Sequence, residues 1–439
     1  MKFAPSVAVS SSFLFAHRLA AAAGQPSLPM TLDDFKLPQA DTGVLVYGGA
    51  PTIPEGFATK HGDYDFVSVL YPTKGQLTTA QVDKWIFHAK GGAYLLKNGD
   101  FYTAHPSTNN TAYIGRAVTE AAPKDEYHLA ATGVADFVVN NSGIAYVSTG
   151  GELYYCGNGD QWGTTGTSYN RFTKIGTDTD WISIHADPFS DFYNSVIIAQ
   201  KGSSAATAQL YVIGSNTEGK AGQNTTSGTV TSWSKMSDGN GGTFNVQGWK
   251  DVKVTTDSPG AISNDGKLYR WGEGLYGAKG DGTNSDILYP YQVGGEFGDT
   301  DWEKLGPMRN VMMAIKGGEI WYCSYSNFGH PNFSNPIFDR TWRQLTSSGG
   351  NWEDIQSNPQ EVSTSSWTAK YNGIHLVYGI SPEVRGGWSS SNLTGSSYTG
   401  TGFTELSNHP DYPAGSPTIA WAEFHAINSS SQILILRAT

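Results

Sequence analysis

A short strand motif recurs seven times along this 439-residue chain, and that recurrence restricts the fold more than any single residue does. The clearest copy runs from Gly260 to Gly282, GAISNDGKLYRWGEGLYGAKGDG: an apolar stretch, an Asn264-Asp265-Gly266 turn, then the alternating strand Leu268, Tyr269, Arg270, Trp271. An Asp-Gly turn between two such runs signals a hairpin, because glycine tolerates the positive φ that a tight turn demands. The strand returns as GDFYTAH near Phe101, GELYYCG near Leu153, AQLYVIG near Leu210, GEIWYCS near Ile320, GIHLVYG near His375 and SQILILR near Ile433. Successive copies lie 52 to 58 residues apart, which is room for four short strands and their turns. A sheet that small cannot hide its apolar faces alone, so the copies must pack on one another.

A second element precedes each copy, an aromatic followed by a short strand: Trp85, Tyr127, Trp181, Trp249, Trp302, Trp352 and Trp421. Large aromatics of this kind pack between adjacent small sheets and serve as fold markers. Gly at 53 positions, 13% aromatics and only 15% charged residues fit many short strands joined by turns. At this point DGKLYRWGEGLYGAKGDG resembles the RCC1-repeat signature, an acidic-Gly turn leading to Leu-Tyr-x-Trp-Gly and a Gly-rich return, and GELYYCGNGDQWGTTG and AQLYVIGSNTEGKAG fit it more loosely. The resemblance covers about residues 80 to 439 and implies an all-β fold, a seven-bladed RCC1-like β-propeller with an extended N-terminal arm. TGVLVYGGA near Leu45 looks like an eighth strand copy without an aromatic element before it. Residues 43 to 75 are therefore expected to complete the blade begun by Trp421 to Leu436, leaving no sheet edge open, with an eight-bladed ring as the alternative.

The expected organisation is an arm over residues 1–40 and the propeller over residues 41–439. The first thirty residues resemble a signal peptide, but His17 and Arg18 interrupt the apolar run and Ser10 to Ser12 dilute it, which favours an arm lying on a protein surface. No apolar run reaches 18 residues, so no membrane span is expected. The net charge of −11, with 28 Lys and Arg scattered along the chain, gives no phosphate-tracking patch and argues against a nucleic-acid partner. Cys156 and Cys323 fall at the same column of the repeat, hence in different blades, and are expected to be unbridged small hydrophobes.

Several stretches look chemical out of context. Gly272, Gly274 and Gly277 spell G-x-G-x-x-G after a strand, yet AKGDGTNSD follows where a dinucleotide site needs a helix N-terminus. Gly214 to Ala221, GSNTEGKA, is one residue short of a phosphate-binding loop, since Ala221 replaces the Ser or Thr that would hold magnesium. Asp281, Asn284 and Asp286 have an oxygen-rich spacing but lack the ligand pattern of a calcium loop. No His spacing suits zinc and no nucleophile elbow occurs, so neither cofactor nor metal nor catalytic residue is expected, and the chain reads as a non-enzyme. The longest irregular stretch, Arg385 to Gly415, carries Trp388, Tyr398, Phe403 and Tyr412 among Gly and Ser, a composition suited to a partner-binding loop; the plainer alternative is a long connection pinned down by its aromatics.

A rigid ring with variable loops suits docking, although fold alone does not name the partner. Three functions are expected in descending order. The first is a virion component, a bacteriophage capsid or tail protein that presents a propeller for assembly with other subunits or for binding a host-surface glycan or protein. The second is a secreted or cell-surface binding propeller, for which six Asn-x-Ser/Thr sequons offer some support. The third is an RCC1-type exchange factor or signalling scaffold.

Overall fold

Alternating strands and Gly-rich turns fold into antiparallel hairpins throughout. The structure, a computed structural model, describes residues 43–48, 67–69, 82–88, 91–104, 128–140, 142–157, 169–188, 190, 194–274, 279–293, 300–308, 311–324, 339–344, 351–357, 367–371, 374–378, 404–405, 420–428 and 431–437. Apart from a 3₁₀ turn at Thr217–Gly219, the regular elements among the described residues are β-strands. No helix among them is long and apolar enough to cross a membrane. The arm at 1–40 lies outside the described residues.

The described strands pair into seven four-stranded antiparallel sheets. The first strands in the chain are β1 (Gly43–Gly48) and β2 (Val67–Val69). Then come β3 to β6 (Val82–His88, Gly91–Leu96, Phe101–Ala104, His128–Ala131) and β7 to β10 (Val134–Asn140, Gly143–Ser148, Leu153–Gly157, Tyr169–Ile175). They are followed by β11 to β14 (Trp181–Ala186, Val196–Lys201, Gln209–Ser215, Thr229–Lys235) and β15 to β18 (Trp249–Lys253, Gly260–Ser263, Leu268–Gly272, Ile287–Gln292). Next are β19 to β22 (Trp302–Met308, Val311–Lys316, Glu319–Ser324, Asp339–Gln344) and β23 to β26 (Trp352–Ser357, Trp367–Tyr371, Ile374–Tyr378, Thr404–Glu405). The last strands are β27 (Ala420–Asn428) and β28 (Ser431–Arg437), and they join β1 and β2 in one sheet of order β2-β1-β28-β27. The pairing of Gly43 with Leu436 through Gly48 with Ser431 unites the two ends of the chain, as the edge argument anticipated.

That sheet also corrects the repeat alignment. In the other six sheets the recurring motif is the third strand, whereas SQILILR is β28, a second strand, and GVLVYG is β1, the third. Thus GVLVYG, and not SQILILR, takes the third-strand place in this sheet. The aromatic marker shifts as well. Trp181, Trp249, Trp302, Trp352 and Trp421 all stand just before a register shift in their first strands, but the equivalent positions in β3 and β7 are Val82 and Val134, not Trp85 and Tyr127. At Val134 a valine fills the buried position that an indole takes in other sheets, and Val82 stands at the equivalent place in the register of β3. Val134, Trp181, Trp249, Trp302 and Trp352 are buried.

Each sheet packs between its neighbours, and this explains why the central strands read as unbroken apolar runs. In β12, Ile197 and Ala199 pack with Val138, Val147 and Tyr155 of the preceding sheet, while Val196 and Ile198 pack with Val252 and Ala261 of the following one. Successive side chains point to opposite faces of a strand, so both faces must be apolar when both are covered. Cys156 and Cys323 are unbridged and fully buried, and burial pushes the Cys323 thiol up to about 12.

Two backbone devices join one sheet to the next. At one end, the turn glycines Gly99, Gly151, Gly266 and Gly318 offer their carbonyls to the N–H of Val134, Trp181, Trp302 and Trp352, each the entry to the next sheet, at 3.0 to 3.1 Å. Along the inner edge, where successive first strands lie against one another, a bulge recurs at the same point. The residue after it is Lys84, Asp136, Ser183, Asp251, Lys304, Asp354 or Glu423 in turn. Asp136 accepts the Ile184 N–H at 2.8 Å, and Asp251 accepts the Leu305 N–H at 2.7 Å, so a carboxylate in one sheet satisfies the backbone of the next. Lys84 donates to both Asp136 Oδ1 and the Phe137 carbonyl at 2.7 Å.

Candidate functional site

The loop that carries Gly214 to Ala221 and the start of the Gly272 loop come together at the seam between two sheets. After β13 the chain turns at Asn216, whose buried side chain donates to Thr225 Oγ1 at 2.7 Å and accepts the Ala221 N–H at 3.0 Å. This closes the loop over residues 216–221 and turns Lys220 inward. Lys220 is buried; its ammonium reaches Glu218 Oε2 at 3.2 Å, Asp257 Oδ1 at 3.3 Å and the Asn194 carbonyl at 3.4 Å. Its carbonyl accepts the Trp271 indole N–H at 2.9 Å, tying the β11–β14 sheet to the β15–β18 sheet. Glu218 holds a left-handed backbone at φ 60, an uncommon conformation for a residue other than glycine.

Asp257 lies in the connection from β15 to β16, and Glu273 follows β17. The Glu273 N–H donates to the Asp257 carbonyl at 2.9 Å, and Ser258 Oγ donates to the Glu273 carbonyl at 2.8 Å. Carboxylate oxygens of Glu218, Asp257 and Glu273 thereby converge within 4.8 Å of one another. Burial first, then the charges of Asp257 and Glu218, pushes the Glu273 carboxyl up to about 7. Three carboxyls thus share one ammonium. Lys220 supplies the positive charge that Glu218 and Asp257 contact directly.

The remaining motifs are absorbed by turn geometry. Gly274 donates its N–H to Asp286 Oδ1 at 3.0 Å. Asp281 accepts the Thr283 N–H at 3.0 Å and pairs with Lys279 at 2.7 Å, which commits its oxygens to an Asx turn and an ion pair. Gly277 lies outside the described residues.

No protein-family model matches the chain, and no curated protein matches it. Solved structures do match over most of its length. Prp20p from Saccharomyces cerevisiae, studied with its binding to Gsp1p and histones, superposes with a TM-score of 0.64 at 10% identity, covering 91% of this chain and 92% of its own. Yeast RCC1 (Prp20) solved with Kap60 gives 0.63 at 10% identity, over 100% of this chain and 95% of its own. Human WBSCR16 gives 0.59 at 13% identity, over 90% and 99%. The fold is that of an RCC1-like β-propeller. At these identities the likeness concerns the fold alone.

In this propeller the residues singled out for partner binding, Trp388, Tyr398, Phe403 and Tyr412, lie outside the described residues. The first three belong to the connection between β25 and β26, and Tyr412 to the link from β26 to β27. The Lys220 cluster had no signal in the linear sequence, because Glu218, Asp257 and Glu273 are brought together only by adjacent blades.

Proposed function

We propose that the chain is a non-enzymatic docking platform built as a closed, seven-bladed RCC1-like propeller. The observation that carries this reading is the sheet shared by both chain ends. Together with cores that span successive sheets, it favours a rigid ring on which loops can vary freely. The setting proposed for this platform is a virus particle, as a capsid or tail component facing other subunits or a host surface. Its support is compositional: low Lys content, a Gly-, Ser- and Asn-rich body and an apolar leading segment. Fractionating the native source tests it. Recovery of the protein in large particles is the expected result, and recovery only as a monomer in soluble fractions overturns it.

A second reading, a guanine-nucleotide exchange factor, is favoured by the likeness to Prp20p, a protein studied for its binding to Gsp1p and histones. The net charge of −11 argues against a chromatin-facing surface. Nucleotide release from small GTPases is expected to be unchanged by this protein, and acceleration would establish the second reading over the first.

A further inference from the structure

We propose that the seam between the β11–β14 and β15–β18 blades is a proton-controlled joint, clamped when Glu273 carries a proton and loosened when Glu273 ionises. The groups that face Glu273 are Asp257 from the β15–β16 connection, Glu218 and Lys220 from the turn after β13, and Asp286 at the entry to β18. Lys220 is the single cation among them, and its ammonium is held by Glu218 and Asp257 at 3.2 and 3.3 Å. Glu273 therefore ionises into a cluster that already has surplus negative charge, in a half-buried place where like charges are poorly screened. Its position is not free to relax. Its N–H and carbonyl are fixed to Asp257 and Ser258, and the neighbouring Trp271 is fixed to the Lys220 carbonyl across the seam. Repulsion at this point acts directly on the contact between two blades.

The direction follows from linkage. Burial and the two neighbouring carboxylates raise the Glu273 carboxyl from 4.5 to about 7, so the closed seam binds the proton more tightly than the open one. The seam is firmest near pH 4.5, weakens as pH rises towards 7 and changes little above that. The device is independent of what the propeller binds, and it would make the loops at 216–228 and 273–286 tighter in a mildly acidic setting than in a neutral one.

Amide hydrogen exchange on the full chain at pH 5.5 and 7.5, corrected for intrinsic rates, tests this. Peptides covering 214–222, 254–260 and 268–274 are expected to lose about tenfold in protection at the higher pH, less than the limit of about twentyfold that linkage sets between these pH values, because Glu273 is partly solvated. Peptides in β8 and β9 are expected to be unchanged. In Glu273→Gln the difference is expected to shrink below about twofold, with protection at both pH values like that of the native protein at pH 5.5. Glu218→Gln, at a half-buried turn position, keeps the test available should the first variant fail to fold, and is expected to reduce the difference. Equal protection of the native seam at both pH values, or a pH difference that survives unchanged in either variant, overturns the proposal.

Discussion

Replacing Gly266 with alanine probes the joint between blades more sharply than any core truncation, because a matched control exists in the same chain. Gly266 has φ +79, and a Cβ there would overlap the Thr300 carbonyl oxygen and stand 2.6 Å from its carbonyl carbon, in the next blade. Gly176 has nearly the same backbone, φ +68, but open space around it. Left-handed backbone costs alanine about 1 kcal/mol at either site, partly offset by the reduced freedom of the unfolded chain. Only Gly266→Ala must also push the next blade away, which breaks the 3.1 Å bond from the Trp302 N–H to the Gly266 carbonyl. Leaving that N–H unpaired beside the buried Trp302 adds about 1–3 kcal/mol, so the expected losses are about 1 kcal/mol for Gly176→Ala and about 3 kcal/mol for Gly266→Ala. Urea unfolding followed by fluorescence and far-UV circular dichroism, with coincident transitions and unchanged slopes, measures both. Losses equal within about 0.5 kcal/mol would refute the claim that the turn glycine is needed for docking of the next blade.

Other positions give further outcomes. Asp136→Ala, which removes the acceptor for the Ile184 N–H and Lys84, is expected to cost about 2 kcal/mol in urea unfolding, and Asp136→Asn clearly less, since the amide oxygen can still accept; equal losses contradict the latch. Arg270 is fully buried with Nε and Nη1 unpaired and a single 3.3 Å bond to the Ser258 carbonyl, where Tyr155 makes the corresponding contact to Ser142 in another blade. Arg270→Met is therefore expected to leave stability unchanged or raise it by about 1 kcal/mol, and a loss above that would show an unrecognised partner. Burial pushes the His185 ring down to about 4 despite Asp136 and Asp251 nearby, so neutral His185 stabilises the fold above pH 6.5 and that contribution fades as pH falls towards 4. His185→Gln is expected to flatten acid unfolding in that window, the opposite sense to Glu273→Gln, and an unchanged acid profile excludes the assignment.

The repeat was legible because it is written in apolar alternation and turn glycines, which act locally. Gly266 and Leu268 to Trp271 announce a hairpin whatever surrounds them, and TGVLVYGG near Leu45 announced the shared closing sheet. The register of the motif was harder to read. SQILILR has the alternation of a third strand but takes the second place in its sheet, since second and third strands carry the same apolar pattern. Val134 carries no aromatic ring because its buried position asks only for an apolar side chain. The Lys220 cluster was invisible for a different reason. Its three carboxylates are 16 to 55 residues apart and meet only where one blade's return loop touches the next blade's first turn. The latch carboxylates Asp136 and Asp251 follow a recurrent bulge, a feature that alternation cannot reveal.

Closure of the ring is most directly tested by an engineered cysteine pair at Val46 and Ile433, which are directly paired between β1 and β28. With Val46→Cys and Ile433→Cys together, mild oxidation is expected to give an intramolecular disulfide, seen as a non-reduced monomer of altered mobility, because strand partners stand within bridging distance. Persistent free thiols, or disulfides that link separate chains, would mean that the two ends of the chain do not share a blade.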